Sequence, residues 1–132
     1  PINYGFVPLT HCEDNDPLDV LVLSQEILDP MTLVKCRPLG VIKMIDNNEL
    51  DEKVIAVPVF DKYFDHLQNL KDMPLPMIAE IKHFFENYKT LEKKKVVIEA
   101  IQDKQAAFSA IETSLLNYQK VIKPSLKQEK KQ

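Results

Sequence analysis

The amino-acid sequence predicts an α+β fold, mainly β, in which the strands curl into a barrel or open sandwich that two later helices cover. Three observations lead to this prediction. Short segments rich in Val, Ile and Leu, bounded by Pro, Asn or Asp, fill residues 2–59, which is typical of strands and turns. From Met77 onward the apolar residues follow a helical period of about 3.6 residues. Because the strands precede the helices, a parallel βαβ fold is disfavoured.

Four apolar segments of the first half and one of the second half are predicted as strands. Each is short, and clusters of turn-forming residues bound those of the first half. Pro38 interrupts the longest of them. The predicted strands are residues 2–7, 18–23, 33–45, 54–59 and 95–101.

Two amphipathic helices are predicted in the second half, each from an apolar stripe of helical period. The first stripe contains Met77, Ile78, Ile81, Phe84, Phe85 and Tyr88. The second contains Ala107, Phe108, Ile111, Leu115, Tyr118 and Ile122. Asp103 is placed to cap the second helix and Pro124 to end it. We therefore expect one domain over residues 1–124 and a charged, solvated tail over residues 125–132.

Composition excludes several classes of function. The chain has 132 residues, the size of one domain, and its net charge of −3 argues against nucleic acid as a partner. Gly5 and Gly40 are its two glycines, so a glycine-rich phosphate loop is excluded. Cys12 and Cys36 form no C-x-x-C pair, which favours a reducing compartment, and we expect a cytoplasmic location. No apolar run reaches about 18 residues, so no membrane association is expected.

Four carboxylates lie within residues 13–19, directly before an apolar strand. Two like charges 4 Å apart repel by about 4 kcal/mol at an effective dielectric constant of 20, so converging carboxylates need cations between them. Oxygen ligands without Cys or His clusters suit hard ions such as Mg²⁺, Mn²⁺ or Ca²⁺. An EF-hand is excluded because Asp19 stands where that loop needs glycine. The alternative interpretation is a solvated acidic turn.

A second acidic group occupies residues 46–52, between two apolar strands. It reaches the first group only if both turns open at the same end of a barrel. The alternative interpretation is a charged hairpin loop. At the end of the first helix, Lys89 fits a purely structural role, because a cation is favourable near a helix C-terminus.

Five blocks of sequence together resemble one known family. The most specific is D-x-D-P-x-D-V, which begins at Asp14. The blocks are residues 1–8, 13–20, 35–40, 51–58 and 83–89. In this order they resemble the soluble, magnesium-dependent inorganic pyrophosphatases of the barrel type, family I, over nearly the whole chain.

The resemblance implies a distorted, closed, OB-like β-barrel flanked by helices. It also implies hydrolysis of pyrophosphate to two orthophosphates with three or four Mg²⁺ ions, for which Mn²⁺ is a possible substitute. Such chemistry suits metal ions, because they offset the charge of pyrophosphate and lower the pKa of a bound water.

The resemblance also assigns roles to five aspartates. Asp14, Asp19 and Asp51 bind the first metal, and Asp19 shares a second. Asp46 and Asp51 hold a further ion that arrives with the substrate. Asp16 is the catalytic base that orients the attacking water, a task that suits a carboxylate still ionised at neutral pH.

Four further residues are implied as phosphate ligands. They are Tyr4, Lys53, Tyr88 and Lys89. The lysines place cations where negative charge accumulates on the leaving phosphate.

The sequence departs from the family pattern at two places. A segment ahead of Pro1 that supplies early barrel strands and further site residues is missing, and Asn47 replaces an acidic residue that is frequent in relatives. We therefore expect a barrel edge that either stays open or pairs with another chain. We also expect a homo-oligomer and impaired activity of this chain. Two alternatives stay open. They are a small barrel that binds a partner without catalysis and an inactive subunit.

Overall fold

The computed structural model describes residues 2–88 and 96–130. Five strands form one mixed sheet, and three helices follow in the second half. The strands are β1 (Ile2–Phe6), β2 (Asp19–Leu23), β3 (Cys36–Asp46), β4 (Glu49–Pro58) and β5 (Val96–Asp103). The helices are α1 (Leu75–Tyr88), α2 (Lys104–Asn117) and α3 (Lys123–Lys130). The predicted α+β class is confirmed.

The sheet has the strand order β1-β2-β4-β3-β5. β2 and β4 run parallel, whereas the other three neighbouring pairs are antiparallel. β1 and β5 are the edge strands of the described sheet, so it stays open between them. Among the described residues, the closed barrel that the resemblance implies is therefore not formed, because the two edge strands do not pair, and the expected open edge is present.

Side-chain alternation along the strands directs apolar residues to both faces of the sheet. In β4, Ile55 belongs to a buried cluster with Ile81 and Phe85 of α1. Val54, one position earlier, belongs to a second buried cluster with Ala107 of α2. The two helices therefore cover opposite faces of the same strands. This double coverage explains why the centre of β4 reads as a continuous apolar run.

The strand boundaries differ from the prediction by at most two residues, except at the starts of β3 and β4, where the difference is larger. β4 begins at Glu49 instead of residue 54, because a tight hairpin continues the β3 ladder into the acidic segment. β3 begins at Cys36, and its register shifts between Pro38 and Gly40. A bulge of this kind accommodates a proline within a strand, since the ladder is interrupted there anyway.

The helices agree with the predicted stripes at most positions. Ile81 and Phe85 are buried, whereas Phe84 is 48% exposed. Asp103 caps α2 as predicted, accepting hydrogen bonds from the backbone N–H groups of Gln105 and Ala106 at 3.1 and 3.3 Å. In the described part of the chain, no helix combines the length and the apolar character that a membrane crossing needs.

The prediction that Pro124 ends the helix is wrong. A π-helical turn, Tyr118–Ile122, follows α2, and helical structure continues through Lys130. The backbone N–H of Lys123 donates to the carbonyl of Tyr118 across the wider turn. Proline lacks an N–H and clashes in a regular helix interior, but the π turn resets the hydrogen-bond ladder immediately before it. The first described residues of the predicted tail, 125–130, are thus helical.

Close packing of β3 against β5 requires a glycine at position 40. A Cβ atom at Gly40 would lie 2.6 Å from the carbonyl oxygen of Gln102 in β5, so the two strands would have to separate. We expect Gly40→Ala to lower the free energy of unfolding by about 1–3 kcal/mol in urea denaturation. Gly5→Ala is the matched control, because the nearest atom, on Val20, would lie at an ordinary 3.8 Å. Equal losses in both variants would contradict this assignment.

Candidate active site

The parallel pairing of β2 and β4 brings the two acidic segments together. Asp19, the first residue of β2, lies opposite Lys53 of β4. The loop before β2 and the first part of β4 therefore meet at one end of the sheet. Asp46 joins them because it ends β3, which pairs with β4 through Glu49. The condition stated from sequence, that both turns open at the same end, is met.

Backbone hydrogen bonds fix the acidic loop before β2. The Thr10 hydroxyl donates to the carbonyl of Val7 at 2.6 Å and accepts from the backbone N–H of Leu18 at 2.9 Å. The backbone N–H of Asp16 donates to Asp14 Oδ1 at 3.1 Å. Asn15 between them has a φ of 66°, which asparagine tolerates better than most residues. The loop thereby holds both carboxylates within one tight turn.

The β3–β4 hairpin turns on two asparagines, Asn47 and Asn48, with φ values of 51° and 66°. Positive φ at both central residues characterises the type I′ turn, whose twist matches a β-hairpin. The turn conformation thus explains an asparagine at position 47 and fixes where Asp46 and Glu49 leave the sheet.

A polar cavity of about 280 Å³ opens between the two acidic segments. Its lining offers oxygen ligands and neither thiol nor imidazole. The lining residues are Asp14, Asp16, Asp46, Asn47, Glu49 and Asp51. This set of donors fits hard divalent cations. Among the described residues, however, no three His, Cys, Asp or Glu side chains are already arranged to hold a metal ion.

Lys53 lies beside this cavity and is 5% exposed. Its Nζ donates to the Tyr4 hydroxyl at 2.6 Å and to Asp19 Oδ2 at 2.9 Å. It also lies 3.1 Å from Asp51 Oδ2. The Tyr4 hydroxyl in turn donates to Asp19 Oδ2 at 3.1 Å. The aromatic rings of Tyr4 and Phe85 lie 5.3 and 5.8 Å from the ammonium, within the range of a cation–π contact.

The environment shifts the pKa values of two groups in this cluster. Burial lowers the pKa of Lys53, but hydrogen bonds to Tyr4 and Asp19 and the charge of Asp51 raise it by a larger amount. The net pKa is therefore raised, and Lys53 remains protonated. Burial raises the pKa of Tyr4 and outweighs the opposing effect of Lys53, which keeps the phenol neutral. The pair therefore presents one fixed positive charge and a neutral hydroxyl.

The pKa values of two groups in the acidic loop, Asp14 and Cys12, are also raised. For Asp14, burial raises the pKa, the hydrogen bond from the Asp16 backbone lowers it, and the charge of Asp51 raises it again. Burial, followed by the charges of Asp14 and Glu52, raises the pKa of Cys12 to about 12. The Cys12 thiol therefore stays protonated, which argues against a role as nucleophile.

Most residues singled out from the sequence lie at this end of the sheet. Four of the five aspartates line the cavity, and the fifth, Asp19, adjoins it through Lys53. Tyr88 is the last residue of α1. Its side chain, and Lys89 altogether, lie outside the described residues.

The sequence matches one protein family over most of its length. The family model of inorganic pyrophosphatases matches residues 1–119. This chain belongs to the inorganic pyrophosphatase family. The resemblance inferred from the five sequence blocks is confirmed.

Curated relatives that are named as inorganic pyrophosphatases support the assignment. Soluble inorganic pyrophosphatase 2 of Chlamydomonas reinhardtii is 44% identical over 124 residues, which are 94% of this chain and 65% of that protein. Soluble inorganic pyrophosphatase 1 of Arabidopsis thaliana is 42% identical over 127 residues, 96% of this chain and 60% of that protein. The chain thus spans less than two thirds of the length of these two relatives.

Solved structures of the family share the fold. Inorganic pyrophosphatase from Thermus thermophilus superposes with a TM-score of 0.84 at 40% identity, over 88% of this chain and 68% of that one. The pyrophosphatase structure from Coxiella burnetii gives a TM-score of 0.83 at 42% identity, over 87% of this chain and 70% of that one. The predicted OB-like fold class is confirmed by this likeness.

Three residues support the candidate site in a way that the sequence patterns do not predict. Thr10 fixes the acidic loop, and the carbonyl of Ser114 in α2 accepts the backbone N–H of His11 at 3.0 Å. The sequence predicts Phe85 only as part of the helix stripe, whereas in the structure its ring also faces the Lys53 ammonium. The one sequence signal among these three residues is the place of Phe85 on the apolar stripe of an amphipathic helix.

Asp14→Asn is expected to raise the melting temperature of the metal-free protein at neutral pH. Because folding raises the pKa of Asp14, its ionised form destabilises the fold at higher pH, and this effect vanishes below the ordinary value of 3.8. Asparagine keeps Oδ1 as the acceptor for the Asp16 backbone. Solvent screening limits the gain to less than about 1 kcal/mol.

Melting curves at about pH 3 and about pH 7 test the Asp14 prediction. Asp29→Asn is the control, because Asp29 is exposed in the loop that follows β2. An Asp14→Asn gain that is as large in acid as at neutral pH would contradict the electrostatic cause.

Proposed function

We propose that this protein hydrolyses inorganic pyrophosphate to two orthophosphates. The observation that carries the proposal is the cavity in which two acidic segments, far apart in sequence, converge beside the buried cation Lys53. Membership of the pyrophosphatase family and the printed names of the relatives support it. No observation on the described residues favours a binding module without catalysis.

The site is proposed to work with divalent cations, namely three or four Mg²⁺ ions, with Mn²⁺ as a possible substitute. The oxygen-only donor set supports this choice. When bound, such ions neutralise substrate charge and lower the pKa of a coordinated water. We propose Asp14, Asp19 and Asp51 as ligands of one ion, Asp19 as the shared ligand of a second, and Asp46 with Asp51 as ligands of an ion that accompanies the substrate.

We assign proton abstraction and phosphate binding to other side chains. Asp16 is proposed as the general base, and its exposed carboxylate in the cavity lining is accessible to an attacking water. Tyr4 and Lys53 are proposed phosphate ligands, since the first offers a neutral hydroxyl and the second a fixed positive charge. Tyr88 and Lys89 complete the proposed phosphate ligands. Donors of this kind stabilise the negative charge that accumulates on the leaving phosphate.

Location and assembly are part of the same proposal. Cys12 and Cys36 are free thiols, which is compatible with the cytoplasm. The β1 edge carries exposed apolar residues at Ile2, Tyr4 and Phe6. Such an edge favours pairing with another chain, and we propose a homo-oligomer.

Phosphate release from pyrophosphate is the direct test of the proposed activity. We expect release that depends on Mg²⁺ and falls at least about 100-fold in Asp16→Asn, the loss typical of a missing general base. Mg²⁺ affinity of this variant should change little, as measured by calorimetry. Asp29→Asn, exposed and outside the cavity, should retain wild-type turnover. Absence of phosphate release with Mg²⁺ would overturn the proposal.

Asp19→Asn is expected to show the reverse pattern, because Asp19 is a proposed ligand of two ions. Its Mg²⁺ dissociation constant should rise about tenfold or more, and turnover should recover in part at high Mg²⁺. Calorimetric titration of both variants separates the roles. Unchanged Mg²⁺ affinity in Asp19→Asn together with weakened affinity in Asp16→Asn would mean that the two roles are exchanged.

Mg²⁺ is also expected to stabilise the fold. An ion that binds only the native state adds about 2.7 kcal/mol at a hundredfold excess over its dissociation constant. Thermal melting with and without Mg²⁺ measures this effect. A melting temperature that does not respond to Mg²⁺ would count against convergence of the carboxylates on a metal.

A further inference from the structure

Oxygens of the protein surround the Lys53 ammonium. A lysine ammonium carries three N–H donors. Three oxygens of the protein lie around it at 2.6, 2.9 and 3.1 Å, on Tyr4, Asp19 and Asp51. Lys53 is 5% exposed, and the rings of Tyr4 and Phe85 flank it. Because the ammonium is buried and enclosed in this way, contact with a phosphate requires that at least one of these contacts opens.

Asp19 and Asp51 share this one cation. Lys53 approaches an Oδ2 atom of each, so a single ammonium lies between the two carboxylates. Their mutual repulsion would otherwise destabilise the junction of β2 and β4, where both side chains are partly buried. The Lys53 ammonium thus offsets the negative charge of the two converging carboxylates.

We propose that Lys53 is a resident counter-cation that competes with divalent cations for Asp19 and Asp51, and that metal loading releases its ammonium toward the substrate anion. The inference rests on the proposed function, since it assumes that these aspartates bind metal. Lys53 contacts Oδ2 of each aspartate, and a divalent cation bound to the same carboxylates repels the ammonium and weakens these contacts. Metal binding thereby produces the free donor that phosphate recognition needs.

This arrangement couples two binding events through one side chain. Before metal binding, the ammonium is paired with carboxylates and unavailable to an anion. After metal binding, the carboxylates are neutralised by the metal, and the ammonium gains more from an anionic substrate. Binding of the metal and of phosphate therefore favour each other, and the coupling must be reciprocal.

The test compares Mg²⁺ binding in wild type, Lys53→Met and Lys53→Arg, without substrate. Lys53→Met removes the charge and keeps a linear side chain, whereas Lys53→Arg retains the charge. We expect Lys53→Met to melt at a lower temperature without Mg²⁺ but to bind Mg²⁺ at least about tenfold more tightly. Lys53→Arg should bind Mg²⁺ like wild type. Lys82→Met, on the exposed side of α1, controls for the loss of any positive charge.

A measurement on the wild-type protein keeps the proposal testable if Lys53→Met fails to fold. The Lys53 ammonium protons should give a protected signal by nuclear magnetic resonance in the metal-free protein. Saturating Mg²⁺ should shift that signal or accelerate its exchange with water by about tenfold or more. A signal that Mg²⁺ leaves unchanged would overturn the proposal.

The outcomes separate this inference from the proposed function. If wild type binds Mg²⁺ and Lys53→Met binds it equally or more weakly, Lys53 does not compete with metal, and the proposed metal site stands. If Lys82→Met gains as much affinity as Lys53→Met, net charge explains the effect and the inference fails. If wild type binds no Mg²⁺, the metal site itself is wrong, and the inference falls with it.

Discussion

Parallel pairing of β2 with β4 is the constraint on which the site depends. It sets Asp19 opposite Lys53 and brings a loop of residues 13–18 against a hairpin more than 25 residues later in the chain. A shift of one residue in this register would turn the side chains of β2 to the other face. The apolar alternation that seats Val54 and Ile55 against opposite helices therefore also fixes the geometry of the charged end.

The apolar core and the charged site occupy the same strands, and this explains how a converged acidic site is tolerated. Asp51 and Lys53 precede Val54 within β4, where burial of the following residues anchors the backbone. A rigid backbone lets a lysine meet two carboxylates at fixed distances, so less conformational entropy is lost when the ion pairs form. Core packing thus supports electrostatics that an isolated loop would leave to solvent.

Local patterns in the sequence predict most of the secondary structure, but they do not show which strands pair. The five strands, both amphipathic helices and the Asp103 cap follow from periodicity and capping rules. Convergence of Asp14 with Asp46 depends on non-local pairing, which spacing alone leaves open. Helix continuation past Pro124 was missed because a π turn has no simple sequence signal. The resemblance supplied what local patterns lacked, since a family motif contains the outcome of tertiary pairing.

The site divides its carboxylates between two paired strands and one loop. Asp19 and Asp51 extend from paired strands and meet a buried lysine, whereas Asp14 and Asp16 belong to a short turn that opens on the cavity. The strand carboxylates share the charge of Lys53, whereas hydrogen bonds within the loop hold the turn carboxylates at the cavity wall. The strands therefore define where the protein's own positive charge is held. The loop brings further negative charge to the same cavity, and this increases the electrostatic gain from a cation there.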